Sequence, residues 1–426
     1  MKFVHAADLH IDSPLRGLER YEGAPVERAR LATRMALKNL VDLCLDEEVA
    51  FLVVAGDLFD FDWRDFNTAH FVVNQFQRLK RQEIPIFVIR GNHDSSAEMS
   101  LKVPWPDNLK LFDHQKPETV VMESLGVAIH GMSFPKRELK ENLVPHYPRP
   151  IDGLLNIGLL HTNATGSLDH DSYAPCGVAE LRDKQYQYWA LGHIHKRETL
   201  HESPHVVYPG NTQGRHVREQ GEKGCVLVTV VDGEVDSLDF RPTDVLRWRR
   251  EVVDLNPDDG VDDLHGKVEA RLRAIADETD GRLTAVRLEV QGRCRAHQRL
   301  TDEARREETI AHIRTFPGEF TDALWVEKIK IDTRIPLDLN QLRRGQDLLG
   351  DLLRAIDAIA DDEQALRDLA AAAEIQKLAA KTMVSLREDE LSLKDDEINY
   401  DSPEQLRTWL RMAENDLLSR LTERLP

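Results

Sequence analysis

Cysteine is scarce in this chain: four in 426 residues, at Cys44, Cys176, Cys225 and Cys294, far apart and with no C-x-x-C pair. That excludes a disulfide framework and a thiolate zinc site, and reduced thiols fit a reducing compartment. No apolar run approaches the length of a membrane span. The opening Met1-Lys2-Phe3-Val4-His5 lacks the longer apolar stretch and small-residue cleavage site of a secretory signal. The expectation is a soluble, cytoplasmic protein without membrane contact. Basic residues are also in deficit, 56 Lys and Arg against 75 Asp and Glu, for a net charge of −19. A protein that coats phosphates over its whole surface is basic overall, so that class is excluded. A local basic groove, or a metal site that meets phosphate, is not. Repeats and low-complexity tracts are absent.

What is present suffices for a folded protein. With 41% apolar and 31% charged residues the chain can bury a sizeable core, and at roughly 150 residues per domain its length suggests two to three domains. Short apolar runs at Lys2–Ala7, Ala50–Ala55 and Ile84–Ile89 read as strands. Helical spacing over Pro25–Glu47 and Phe66–Arg81 separates them, the pattern of an α/β fold with much of its sheet parallel. Beyond residue 119 the helices thin out. Thr119–Met122, Gly126–His130, Ile157–Leu160, Tyr188–Leu191, Val206–Tyr208 and Gly224–Val231 read as strands of a second sheet packed on the first.

A composition shift follows Pro242. Strands at Trp248–Leu255, Thr284–Val290 and Ala323–Ile331, with helices at Val261–Asp277 and Asp302–Arg314, make a small β-α-β-α-β unit. After Pro336 the chain turns helical and acidic, with 13 basic and 20 acidic residues from Arg334 to Pro426, many of them in Asp361-Asp362-Glu363, Glu388-Asp389-Glu390 and Asp395-Asp396-Glu397. Leu348, Leu349, Leu352, Leu353, Ile356 and Ile359 make one apolar face. A last helix starts at a Ser402 N-cap with Pro403 at its first position, and Leu406, Trp409, Leu410, Ala413, Leu417 and Leu421 share one side. The expected domains are 1–242, 243–335 and 336–426.

Five polar clusters each follow an expected strand: Asp8-Leu9-His10, Gly56-Asp57, Gly91-Asn92-His93-Asp94, His161 and Gly192-His193-Ile194-His195. Open α/β sheets place ligand sites where strands end in loops. Each cluster alone is weak evidence, but the ordered set is not. Asp8, His10, Asp57, Asn92, His161, His193 and His195 supply seven side chains, and one shared ligand gives four per ion for two ions. Asp57, with two carboxylate oxygens, is the natural bridge. Oxygen and imidazole without thiolate suit manganese, iron or zinc better than calcium or magnesium. Two such ions roughly 3.5–4 Å apart clamp the attacking and leaving oxygens of a phosphoryl displacement, with a bridging hydroxide as nucleophile.

This set resembles the calcineurin-like metallophosphoesterase superfamily. Phe3-Val4-His5-Ala6-Ala7-Asp8-Leu9-His10-Ile11-Asp12-Ser13-Pro14, Gly56-Asp57-Leu58-Phe59-Asp60, Gly91-Asn92-His93-Asp94 and Tyr208-Pro209-Gly210-Asn211 resemble bacterial DNA-repair nuclease subunits of the SbcD type, above all the YhaO-like branch. The motifs cover about residues 1–242. The resemblance implies an α/β sandwich of two mixed sheets flanked by helices in four layers, with a small capping domain and a helical C-terminal region. One ion would take Asp8, His10, Asp57 and His195, the other Asp57, Asn92, His161 and His193, with manganese the first expectation. His93 matches the catalytic histidine, which stabilises the transition state or protonates the leaving oxygen, and Asp94 would orient its ring. Eukaryotic and archaeal relatives often carry a second histidine where this chain has Asp60, so that histidine's role does not transfer.

The implied function is metal-dependent DNA hydrolysis in double-strand-break repair. The implied partners are DNA, a second copy of the chain and an SMC-like coiled-coil ATPase of the SbcC or YhaN type, docked on the C-terminal helices. Two alternatives compete: a phosphodiesterase for nucleotides or other small diesters, and a metal-binding scaffold subunit without nuclease activity. His5 is expected to be packed rather than ligating, and His170-Asp171 is a weaker candidate beside the site. Arg215-His216-Val217-Arg218 and Lys136-Arg137 read first as surface charge and second as phosphate contacts. Arg247, Arg249, Arg250, Arg293, Arg295 and Arg299 are candidates for a basic rim.

Overall fold

The computed structural model describes residues 1–13, 25–60, 66–95, 103–164, 174–337, 339–372 and 402–422. His170-Asp171 and the acidic clusters at 388–390 and 395–397 lie outside the described residues. The chain divides into two compact units, one comprising 1–15, 25–249 and 282–285, the other 16–24, 250–281 and 286–426.

The first unit is built on runs too apolar to face water. Strands β1 (Lys2–Ala6), β2 (Phe51–Ala55), β3 (Ile86–Ile89) and β4 (Leu109–Leu111) lie parallel and adjacent. The second sheet contains β5 (Glu118–Met122), β6 (Val127–Gly131), β7 (Leu155–His161), β8 (Tyr188–Gly192), β9 (Glu198–Glu202) and β10 (His205–Tyr208), in the order β5-β6-β7-β8-β10-β9. Its inner strands β6, β7, β8 and β10 are parallel. Strands β11 (Gly224–Val231) and β12 (Glu234–Pro242) return antiparallel to complete the first sheet as β12-β11-β1-β2-β3-β4.

Alternation along the strands divides the core. Val4, Ala6, Leu52, Val54, Ile86 and Val88 face Leu37, Leu40, Val41, Val72, Phe76 and Leu79 of the helices Ala32–Asp46 and Phe66–Lys80. Phe3, Phe51, Val53, Phe87 and Ile89 face the second sheet, against Ile129, Ile157, Leu159, Tyr188 and Ala190. That period of two, buried on both faces, explains the continuous hydrophobic runs. On the far side of the second sheet Trp189 and Leu191 pack with Tyr147, Leu181 and Tyr186. The architecture is therefore two mixed sheets face to face, with helices outside.

Three strands escape the sequence reading: β4, β9 and β12. All lie at sheet edges. Edge strands are short or carry charge on their open side, which discourages pairing with other chains and hides the apolar alternation. Glu198-Thr199-Leu200-His201-Glu202 is largely exposed.

The second unit contains most of a three-stranded sheet, β13 (Leu246–Leu255), β14 (Leu283–Arg293) and β15 (Leu324–Arg334), in that order. Leu264, Val268, Leu272 and Ile275 of helix Val261–Asp277 and Ile313 of helix Glu303–Thr315 share a core with Val253, Leu288, Val290 and Val326. The described helices beyond residue 336 belong to this unit. Ser402 Oγ accepts the Gln405 N–H at 3.4 Å, as an N-cap does. On that last helix, Pro403–Thr422, Leu406 packs with Leu366 and Ala370, and Leu418 with Ile335 and Leu353. Leu417 and Leu421, expected on the apolar face, are exposed; Leu418 takes the buried place. Among the described residues no helix is long and apolar enough to cross a membrane.

The sheets approach closely at the carboxyl ends of their strands, where His161 Nδ1 meets the Ala55 carbonyl. A Cβ at Gly192 would stand 1.9 Å from the carbonyl oxygen of Ala55, a backbone atom that cannot rotate away. Gly192→Ala should therefore lower stability by about 3 kcal/mol, as overpacking against rigid backbone does. Gly266→Ala, in open space within a helix, should gain up to about 1 kcal/mol. Urea unfolding midpoints of both variants test this. An unshifted midpoint for Gly192→Ala would show that the sheets part freely at this end.

Candidate metal centre

The polar clusters expected from sequence converge where these strands end. Asp8 and His10 leave β1, Asp57 leaves β2, Asn92 and His93 leave β3, His161 closes β7, and His193 and His195 leave β8. Asp8, His10, Asp57, Asn92, His161 and His193 are all buried. Four of them have left-handed backbones: Asp8 (φ 52°), His10 (φ 43°), Asp57 (φ 52°) and His193 (φ 102°). Non-glycine residues adopt that region at a cost and cluster at functional sites.

Neighbouring groups set the tautomers. His161 Nδ1 is 2.9 Å from the Ala55 carbonyl, which only accepts, so Nδ1 carries the proton and Nε2 holds a lone pair. That Nε2 is 2.9 Å from Asn92 Oδ1 and 3.4 Å from Asp57 Oδ2. Three acceptors converge there, an arrangement that requires a proton or a cation among them. His195 Nδ1 is 2.7 Å from Glu219 Oε1, which leaves its Nε2 facing His10 Nε2 at 3.2 Å. His10 Nε2 is 3.8 Å from Asp57 Oδ2. Ligating atoms about 2.1 Å from one ion lie about 3 Å from each other, so these spacings fit a shared metal. His10 Nδ1 is buried with no hydrogen-bond partner.

The closest groups of ligand atoms are Asp8 with His10 and His195, Asp8 with Asp57 and His161, and His10 with Asp60 and His93. Asp57 Oδ2 lies between His10 and His161, while its Oδ1 accepts the His93 main-chain N–H at 2.9 Å. His193 packs edge-on to His161, ring centroids 5.3 Å apart, and its N–H lies 3.0 Å from Asp8 Oδ2. Its ring falls outside those three groups. Gly91 keeps the centre compact, since a Cβ there would stand 2.3 Å from Asp57 Oδ1 and 2.7 Å from His161 Cε1.

The expected pairing of Asp94 with His93 is not what the structure shows. Asp94 accepts the Gly91 N–H at 2.6 Å and the Leu58 N–H at 2.9 Å, pinning two site loops together. Asp60, at the end of the neighbouring strand's loop, takes the place against His93 Nδ1 at 2.5 Å. Ser13 Oγ donates to the other Asp60 oxygen at 2.6 Å. Glu219 is a second residue that the sequence reading missed. It follows the Tyr208-Pro209-Gly210-Asn211 motif, itself a strand-end cluster after β10. Arg215, read first as surface charge, is 14% exposed at its side chain and lies 3.4 Å from Glu219 and 3.7 Å from Asp60. His5 is buried in β1 between the Tyr188 hydroxyl and the Leu191 carbonyl, and burial pushes its pKa down to about 3.

The expected basic rim is largely neutralised. Arg247 pairs with Asp244 and Glu222, Arg250 with Glu289, Arg295 with Asp258 and Arg299 with Glu308, while Arg293 donates to the Leu337 carbonyl.

Two family profiles match the chain: calcineurin-like phosphoesterase over residues 1–197, and the middle domain of metallophosphoesterase YhaO over residues 248–334. An uncharacterized metallophosphoesterase YhaO of Bacillus subtilis is 37% identical over 296 residues, spanning 68% of this chain and 72% of that protein. The DNA double-strand break repair protein Mre11 of Methanopyrus kandleri is 25% identical over 234 residues, 50% of this chain and 49% of its own length. Among solved structures, a Thermus thermophilus protein aligns at 15% identity and a TM-score of 0.30, covering 53% of this chain and 93% of that one. A dimetal phosphatase from Danio rerio aligns at 12% identity and 0.34, covering 57% and 99%.

The chain belongs to the calcineurin-like metallophosphoesterases, a family of metal-dependent phosphoester hydrolases with a dimetal centre. Within that family it is YhaO-like and carries the YhaO middle domain.

Without metal the centre holds protons instead. Burial alone would lower the His161 pKa, but the Asp57 and Asp8 carboxylates raise it to about 9. Burial, with Asp57 nearby, pushes Asp8 up to about 8, against the pull of His161. Asp57 is held low despite burial, because His161 and His93 favour its charge. At pH 7 the metal-free protein thus holds protons shared between His161 and Asp8 that ligation displaces. Mn²⁺ binding at pH 7 should therefore release protons, measured by calorimetry in buffers of different ionisation enthalpy. A heat independent of buffer would refute this protonation. Both groups bind protons more tightly folded than unfolded, so in the metal-free protein the stability each contributes should be lost as pH rises, for Asp8 between about 4 and about 8 and for His161 between about 6.5 and about 9.

Proposed function

We propose that the chain is a metal-dependent DNA phosphodiesterase, an exonuclease or endonuclease of double-strand-break repair, working with an SMC-like coiled-coil ATPase. The observation that carries this reading is the His93–Asp60 pair set against the ligand cluster, with the His10 and His93 rings 4.6 Å apart. Asp8, His10, Asp57, Asn92, His161, His193 and His195 are the residues that would hold the ions. Bound there, the ions supply charge neutralisation for the phosphate and activation of water.

The chain's own residues do the rest. Burial raises the Asp60 pKa, but hydrogen bonds from His93 and Ser13 outweigh it and keep the carboxylate ionised. An ionised carboxylate only accepts, so it fixes the proton on His93 Nδ1. Nε2 is then the nitrogen left to meet the leaving oxygen, which it protonates only when the ring carries a second proton there. Glu219 fixes the His195 tautomer in the same way, as partners of metal-bound histidines commonly do.

Three features favour DNA over a small diester. The motifs are of the SbcD type, the Mre11 relative is a DNA double-strand break repair protein, and a whole second unit lies beyond the catalytic residues. The neutralised arginines argue that DNA contact is local and metal-assisted. ATPase docking on the C-terminal helices remains part of the proposal, through surface other than Leu406 and Leu418, which pack within the chain. Manganese, with iron or zinc as alternatives, and a homodimer complete it.

The test is an assay with Mn²⁺, Fe²⁺ or Zn²⁺ on labelled duplex, single-stranded and hairpin DNA beside bis(p-nitrophenyl) phosphate. DNA cleavage is expected, with kcat reduced by about 10²–10⁴ in His93→Ala. Activity on the small diester alone would favour the nucleotide or small-diester reading. Full activity in His93→Ala would overturn the mechanism.

A further inference from the structure

We propose that Arg215 is a positioning residue whose guanidinium ties together the two carboxylates, Glu219 and Asp60, that orient His195 and His93. The inference rests on the phosphodiesterase reading above and names a residue that reading does not use.

The loop that carries Arg215 is anchored at Glu219. Glu219 Oε2 accepts the Arg215 main-chain N–H at 2.7 Å and the Asn211 side-chain amide at 2.9 Å, while its Oε1 meets His195. From that anchor the guanidinium extends across the site. Its Nη2 lies 3.3 Å from His195 Nδ1 and 3.4 Å from Glu219 Oε1, and its Nη1 lies 3.5 Å from Ser13 Oγ and 3.7 Å from Asp60 Oδ2. Ser13 and His93 hold Asp60 from the other directions. One line of contacts therefore runs from the His195 ring through Glu219, Arg215 and Asp60 to the His93 ring.

The charge balance distinguishes positioning from phosphate capture. A guanidinium that binds substrate presents its fork to solvent. Here Nη1 faces Asp60 and Ser13, Nη2 faces Glu219 and the His195 ring, and the side chain is only 14% exposed. A phosphate would have to displace Glu219 or Asp60, releasing a histidine the reaction needs. Removing Arg215 leaves two carboxylates facing each other across the gap it filled. Glu219 keeps Asn211 and the main-chain N–H of residue 215, and Asp60 keeps Ser13, but each loses the cation that holds its carboxylate in register with its imidazole.

The experiment uses the full chain with Arg215→Ala and Arg215→Lys. With Mn²⁺ and bis(p-nitrophenyl) phosphate, Arg215→Ala should lower kcat about 10–100-fold, the usual effect of losing a partner of a ligand, with KM changed less than about threefold. Arg215→Lys should restore part of the loss by supplying one charge. In the metal-free protein, long-range ¹H–¹⁵N spectra of the imidazoles should show the Nδ1–H form of His195 and His93 in the wild type and mixed tautomers in Arg215→Ala. A raised KM with unchanged kcat would make Arg215 a phosphate ligand and overturn the proposal, as would unaltered imidazole spectra. Should Arg215→Ala fail to fold, Arg215→Lys carries the same readouts. A wild type inactive on every diester would sink the phosphodiesterase reading alone, because the spectra decide the positioning role without turnover.

Discussion

The whole catalytic unit depends on one contact between its sheets, the hydrogen bond from His161 Nδ1 to the Ala55 carbonyl at 2.9 Å. Ala55 ends a strand of the first sheet and His161 ends a strand of the second. Their union closes the sandwich at the carboxyl edge and fixes which imidazole nitrogen faces inward. Everything around it follows from that closeness. Side chains cannot be accommodated at positions 91 and 192, Asp57 lies against the same ring, and the loops must turn sharply. A sandwich held a few ångströms wider at this edge would have the same core and no centre.

Close packing of ionisable groups creates the second constraint. Buried carboxylates and imidazoles cannot remain charged without partners. The site answers by alternating them: Asp57 between His10 and His161, Glu219 between His195 and Arg215, Asp60 between His93 and Arg215. The protein's overall acidity thus says little about the centre, where acids are matched by imidazole, guanidinium and, in the family's chemistry, metal.

The sequence made the fold legible wherever a segment is buried on both faces, because an uninterrupted apolar run is stable only away from water. It failed at three of the edge strands, which are short or interrupted by charge. The candidate ligands were legible for a related reason: each follows such a run directly. Asp94 misled because adjacency in sequence suggests contact with His93, whereas consecutive side chains diverge and Asp94 turns to backbone amides. Its expected partner role belongs to Asp60, separated by a helix and a strand but brought near by parallel pairing. Glu219 was invisible because it lies in a loop with no strand immediately before it, and only the fold returns it to His195.

The left-handed backbones at Asp8, His10, Asp57 and His193 set this protein's stability against its chemistry. Such conformations cost of order 1–3 kcal/mol each, and glycine or asparagine relieves much of that cost at the same positions. Selection for thermal resistance alone would therefore favour drift toward those residues where ligands now stand. Lineages that relinquish metal chemistry have an easy route to a sturdier fold, and those that retain it must keep replenishing stability from the core.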